Sequence, residues 1–221
     1  MKLTKRLAVL CGELEKCGTF ADVGCDHGYC TLYMLENNLC ERAQFSDISA
    51  KSLKKAEELL FPYIKAGRAE PVVCAGLEKI TPDAELVLIA GMGGEEIVSI
   101  LLDGFRPPKL RLQPMKNAEK VRVCLLKNGY EILRDYTFFA DGKFYDLIKA
   151  KRGGAPQRYT EDMLLFGRDN LLSPRSDFIK KLERDISDNR AWLVRAKSGR
   201  EEVLARLAKL EEIYDEACRR L

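Results

Sequence analysis

The chain has 221 residues, 46% hydrophobic, 32% charged and 8% aromatic, which excludes disordered, collagen-like and fibrous classes and leaves an ordinary globular protein. Its formal net charge of +3 is too mild to announce nucleic acid by itself, yet it excludes an acidic, phosphate-repelling surface. The whole excess falls beyond residue 150, since residues 1–150 carry 21 basic and 21 acidic side chains and the remainder 16 and 13.

In chain order, Met1 to Arg6 looks like the charged start of an export signal, but only residues 7–11 follow as apolar before Gly12-Glu13. An export signal needs about 7 to 15 apolar residues and a membrane span roughly 20, so a cytoplasmic protein with no membrane partner is expected. Eight cysteines occur without a C-x-x-C pair and are read as reduced thiols. With a single histidine, His27, no metal site is expected.

Residues 19–23 read as a strand, followed by helical sequence to 37. A second strand at 42–47, a helix at about 49–64, a third strand at 71–74 and a fourth at 85–90 continue the alternation. The fourth is apolar throughout, which places it at the centre of a sheet. A helix at 94–102, a strand at 109–113 and a helix at 119–127 follow, and then the alternation breaks. Residues 130–139 and 143–149 are strand-like and joined through Ala140-Asp141-Gly142, a hairpin signal. The expected fold is α/β with a seven-stranded, mostly parallel, Rossmann-like sheet, a plan that resembles the class I methyltransferases.

Glycine and proline at 151–156 mark a linker, so one domain is expected over 1–152 and a helical domain over 156–221. Thr160 is placed to cap a helix bearing Met163, Leu164 and Phe166. After Pro174, Phe178, Ile179, Leu182, Ile186 and Leu193 form an apolar stripe, and Val203, Leu207, Leu210 and Ile213 form another beyond Ser198-Gly199. An antiparallel helical hairpin or short coiled coil accounts for both stripes, and one continuous helix bent at Gly199 is the alternative.

The chemistry gathers at strand ends. The first strand leads into Asp22-Val23-Gly24-Cys25-Asp26-His27-Gly28, where Asp26 puts a carboxylate in the place a dinucleotide fingerprint keeps for pyrophosphate. Such a carboxylate suits a cationic ligand, and the ammonium of S-adenosylmethionine is one that Asp22 or Asp26 can accept from. A plain strand-to-helix turn capped by Asp26 is the other reading. Asp47 ends the second strand about twenty residues past Gly24, where an acidic side chain accepts from ribose hydroxyls, or else caps the next helix. Ala75-Gly76-Leu77 can lie along an adenine ring, and Ala90-Gly91-Met92-Gly93-Gly94 follows the central strand. Three of these sites lie at the carboxyl ends of strands, where open α/β sheets bind ligands.

These motifs, with Ser46-Asp47-Ile48, Leu112-Gln113-Pro114, Lys143 to Asp146 and the helical tail, resemble the TrmK family over nearly the whole chain. The resemblance implies S-adenosylmethionine-dependent methylation of N1 of adenine 22 in the D-loop of bacterial tRNA. It adds His27, Ile48, Ala90 and Met92 to the expected cofactor residues, and implies base contacts from the Gly91 to Gly93 backbone with His27, Tyr29 and Gln113. Met115 stands where many members have Asn, and Asn117 is close enough to substitute. His27 as a packing residue and Tyr29 as a helix-surface aromatic stay open. Lys2, Lys5, Arg6, Arg106, Lys109, Arg111, Lys116, Lys120 and Arg122, with Arg175, Lys180, Lys181 and Arg184, are expected to track tRNA phosphates. A generic solvated surface is the default for such residues. A monomer or weak dimer is expected. A methyltransferase of small molecules or proteins, and a non-catalytic nucleic-acid-binding module, are the alternatives.

Overall fold

The computed structural model describes residues 3–196 and 198–220; Lys2, expected on the basic face, lies outside them. Thr4 starts the fold, its hydroxyl accepting from the Leu7 N–H to cap helix α1 (Lys5–Gly12). That helix was not expected. Its signal is the spacing of Leu3, Leu7, Leu10 and Leu14, which puts one apolar face on the molecule, with Leu10 and Cys11 buried.

The alternation then runs β1 (Cys17–Val23), α2 (Tyr29–Glu36), β2 (Cys40–Asp47), α3 (Ala50–Lys65), β3 (Ala69–Val73), β4 (Leu86–Met92), α4 (Gly94–Asp103), β5 (Lys109–Pro114) and α5 (Ala118–Lys127). Strands β6 (Tyr130–Ala140) and β7 (Lys143–Arg152) close the sheet as a hairpin, with Asp141 and Gly142 both at positive φ as a tight primed turn requires. The seven strands lie in the order β3-β2-β1-β4-β5-β7-β6, parallel except where β7 meets β5 and β6. The expected central strand is central. Leu86 and Leu88 of β4 enter the core beneath α1, α2 and α3, and Val87 and Ile89 the core beneath α4 and α5, which is why the whole run is apolar. The order reverses between β1 and β4, and that switch point opens a crevice at the carboxyl edge.

Beyond the sheet lie α6 (Glu161–Phe166), α7 (Arg168–Leu172), α8 (Ser176–Arg195) and α9 (Arg200–Arg220). Thr160 caps α6 by accepting from the Met163 N–H, as its position suggested. Helices α8 and α9 pack around Phe178, Leu182, Ile186, Leu210 and Ile213. Arg190 pairs with Glu211 and the Tyr214 hydroxyl donates to Glu183, so the helices run antiparallel, and Gly199 at φ +69° turns the chain between them. The single bent helix is thereby replaced by a hairpin.

The joint between sheet and tail is polar and buried. Arg122 of α5 grips both oxygens of Asp135 at 3.0 and 2.9 Å and donates to the carbonyls of Leu164 and Leu165. Against the cost of burial, Asp135 and Asp146 hold its guanidinium above the ordinary value. Strand β6 is the sheet edge, and its outward N–H groups find side chains. Ile132 donates to Gln157, Asp135 to Asp169, Thr137 to Asn170 and Phe139 to Asp177.

Candidate active site at the carboxyl edge

Three turns meet at the switch point. In the first, the N–H groups of Gly24 and Cys25 both donate to the Ser46 carbonyl, which ties the β1 turn to the end of β2. Gly24 sits at φ +71°, a conformation that favours glycine, and a Cβ there would press on the flexible end of Met92, 2.1 Å from Cε. Asp26 also has positive φ and directs its exposed carboxylate to His27 Nδ1, 2.8 Å away. The His27 and Tyr29 rings lie parallel within 4°, their centroids 5.7 Å apart, and both face solvent in part. The turn therefore presents a stacked pair of rings partly open to solvent, and Asp26 orients the imidazole rather than capping α2, whose N-cap residue is Gly28.

Asp22 is buried at 5% exposure and receives only the Thr31 hydroxyl, at 2.9 Å, from a side chain. No cation pairs with it among the described residues, and burial pushes its carboxyl up to about 6. It lines a crevice of about 360 Å³ together with Arg6, Gly24, Asp26, His27, Tyr29, Ala90 and Gly91. An uncompensated carboxylate facing an open cavity is suited to receive a cation. Cys25 shares this wall, and burial with the nearby Asp22 and Asp47 carboxylates pushes its thiol up, which disfavours the reactive thiolate.

Asp47 stands at the end of β2, its Oδ1 accepting the Ser49 N–H at 2.8 Å. Helix α3 is capped by Ser49, whose Oγ accepts the Ser52 N–H, so Asp47 is not the cap and its Oδ2 has no protein partner among the described residues. Ile48 beside it is 77% exposed. Gly76, at φ +54°, packs on Ile100, and Leu77 is buried in the core, so this turn offers backbone and the exposed Ala75 rather than the Leu77 side chain.

Gly91 lies at a bulge between Ala90 and Met92, at φ +84°. Gly93 is the N-cap residue of α4, and a Cβ on Gly94 would meet the Asn117 carbonyl oxygen at 2.2 Å. That contact lets the β4 and β5 turns close on each other.

Two expected base contacts stand elsewhere. Gln113 is fully buried, its Oε1 accepting from Arg6 Nε at 2.8 Å and its Nε2 donating to the Pro114 carbonyl, so it reaches the crevice only through Arg6. Asn117 begins α5 and lines a separate cleft toward the tail, with Leu165, Arg206 and Lys209. Arg6 is the residue that sequence reasoning placed only on the surface. It stacks over Tyr145 at 5.5 Å and approaches Gly91, and its partners Gln113 and Tyr145 lie more than a hundred residues away, where local pattern carries no signal. The expected basic face is also corrected. Arg111 and Arg122 are buried, Arg111 paired with Glu15, and Lys109, Lys120, Lys181 and Arg184 are engaged by carboxylates. No cluster of metal-ligating side chains exists among the described residues, and no described helix is long and apolar enough to cross a membrane.

The sequence profile of a methyltransferase domain family matches residues 3–148. The chain is also 30% identical over 169 residues to the tRNA (adenine(22)-N(1))-methyltransferase of Bacillus subtilis strain 168, spanning 72% of this chain and 69% of that protein. The chain belongs to the TrmK family of methyltransferases. Solved TrmK structures share the fold from sheet to tail. The Mycoplasma capricolum enzyme with S-adenosylhomocysteine superposes with a TM-score of 0.88 at 23% identity, over 98% of this chain and 100% of that one. The B. subtilis enzyme gives 0.81 at 24%, over 96% and 99%.

Proposed function

We propose that this chain transfers the methyl group of S-adenosylmethionine to N1 of adenine 22 in bacterial tRNA. The observation that carries the reading is Asp22, a buried carboxylate with no cation of its own, opening on a crevice at the switch point of a TrmK-family sheet. The donor set fits the cofactor. Asp22 matches an ammonium, the unpartnered oxygen of Asp47 matches ribose hydroxyls, and Gly24 and Gly91 leave backbone open where a Cβ would intrude. Ile48, Met92 and the Gly76 to Leu77 backbone would flank the nucleoside, with Ala90 lining the wall.

When bound, S-adenosylmethionine supplies an electrophilic methyl group on a sulfonium. The chain's part is to position the base. Adenine N1 carries an in-plane lone pair and no proton, so no residue needs to act as general base. The parallel His27 and Tyr29 rings offer a stacking surface for a base turned out of its helix, and Asp26 on Nδ1 leaves His27 Nε2 to make a polar contact. Gly93 contributes backbone beside it. Gln113 acts by holding Arg6, and Asn117 faces RNA that approaches along the tail.

The sheet over 1–152 is the catalytic unit in this reading and 156–221 the RNA-facing unit, in a cytoplasmic monomer or weak dimer. The test is methyl transfer from labelled S-adenosylmethionine to a tRNA transcript with adenine at position 22 and to the same transcript with guanine there. Label is expected in the first as 1-methyladenosine at position 22. Equal labelling of both transcripts, or none with the cofactor bound, overturns the reading.

A further inference from the structure

The apolar packing of the tail hairpin thins toward its turn, where Leu193 is still buried. Its apolar core runs through Phe178, Leu182, Ile186, Leu210 and Ile213, and toward the α8–α9 turn the apolar side chains emerge from it. Trp192 is 45% exposed, Val194 87% and Leu204 50%. Trp192 is the only tryptophan of the chain, and tryptophan is ordinarily well buried. Its ring lies beside the turn, with Cη2 3.6 Å from where a Cβ on Gly199 would stand, and among the described residues no aromatic ring or cation stacks on its faces.

The charge at this end is as distinctive. Residues 190–206 hold five basic side chains, Arg190, Arg195, Lys197, Arg200 and Arg206, against Glu201 and Glu202, which equals the chain's entire net charge of +3. Arg190 is paired with Glu211, and Arg200 turns to the Leu193 carbonyl. Arg195 and Arg206 are exposed and form no ion pair among the described residues. An exposed indole on a segment rich in arginine suits one kind of partner, a nucleic acid whose unpaired bases stack on the ring while its phosphates meet the cations. A protein surface that met the apolar groups would have to bury or neutralise that charge.

We propose that the tail tip is a second RNA contact, in which Trp192 stacks on an unpaired base of the substrate tRNA. This rests on the reading of the substrate as tRNA and adds where else that RNA is held. Trp192 lies about 24 Å along the helix axis from the start of α8, at about 1.5 Å per residue. It is not among the residues that line the crevice with Asp22. A free nucleoside fills the crevice alone, whereas an RNA that offers a second unpaired base engages Trp192 as well, so the contact favours RNA over a free nucleoside.

A single tryptophan makes the test direct, because intrinsic tryptophan fluorescence then reports this residue alone. Titrating the full chain with an adenine-22 tRNA transcript is expected to quench that fluorescence to saturation, with the midpoint seen by filter binding. Trp192→Ala is expected to raise KM for tRNA about tenfold, the effect of losing one stacked base, with kcat and the Kd for S-adenosylmethionine unchanged. Trp192→Phe is expected to keep most of the wild-type KM. Fluorescence and KM that do not move while tRNA is methylated overturn the proposal and leave the catalytic reading standing. A wild type that sediments as a dimer, a monomeric Trp192→Ala variant and an unchanged KM make a second copy the occupant and also overturn it. A chain that binds S-adenosylmethionine but neither binds nor methylates tRNA overturns both readings together.

Discussion

The carboxyl edge of the sheet and the joint beneath the tail each bury an aspartate, and they treat it in opposite ways. Asp135 in the joint receives the Arg122 Nε–H across both its oxygens and the Arg168 N–H. Asp22 at the edge receives one threonine hydroxyl from the side chains around it and faces a crevice. Burying a carboxylate is costly unless it is paired, so the first carboxylate has its cation within the fold and the second gains one only when something cationic enters. Structural and ligand-seeking charges are separated here by what surrounds them, since residue type and burial are the same.

The largest effect expected from this contrast lies at the joint. Asp135→Ala leaves the Arg122 guanidinium buried without its partner and should lower stability by about 3 to 5 kcal/mol, read as a shift of the urea midpoint. Replacing both members, Arg122→Met with Asp135→Leu, should recover much of that loss. A single substitution costing under about 1 kcal/mol would erase the contrast.

At the edge the same kind of change should have the opposite sign for stability. Asp22→Asn keeps an acceptor for Thr31 and removes the unpaired charge, so the protein should be as stable or more stable at pH 8. Its affinity for S-adenosylmethionine should fall about tenfold or more in calorimetry. The carboxyl titrates at about 6 in the folded chain against an ordinary value of 3.8. Its contribution to folding is therefore full below pH 3.8 and is lost as pH rises through 6. Cofactor affinity should run the other way, rising by up to about tenfold between pH 5 and 7 as the carboxylate ionises. A flat affinity profile in the wild type would show that Asp22 does not meet the cation.

The smallest effect concerns His27, a positioning and stacking group in this account. His27→Ala should slow single-turnover methylation about fivefold, the lower end of a lost stacking contact, without changing the shape of the pH profile. A tenfold-per-unit rise in the wild type that vanishes in the variant would make His27 an obligatory base.

The sheet was legible because its signals are local. The run from Leu86 to Ile89 is apolar on both faces, and Asp141-Gly142 names its own turn. The turns bearing Gly24, Asp47 and Gly91 were legible as strand ends, and they do converge on one edge. Helix α1 is obscured in the sequence by the charged start of the chain, which resembles an export signal, although Leu3, Leu7 and Leu10 carry a helical spacing. Arg111, Arg122 and Gln113 were placed on surfaces or at the base because their partners, Glu15, Asp135 and Arg6, come from other elements. Pairing of that kind is a property of tertiary packing, and no window of sequence contains it.

The side chains laid along β6 do more than fasten the tail to the sheet. An edge strand with free donors is a template on which another chain can build, and here Gln157, Asp169, Asn170 and Asp177 occupy those donors before a stranger can. The tail is thus a guard on the sheet as well as an arm beyond it. A chain cut at the linker would present an eleven-residue strand with its outer rail open to its own copies. Lost activity in such a fragment would mix self-association with lost RNA contact, whereas single substitutions at the tip leave the guard in place and separate the two.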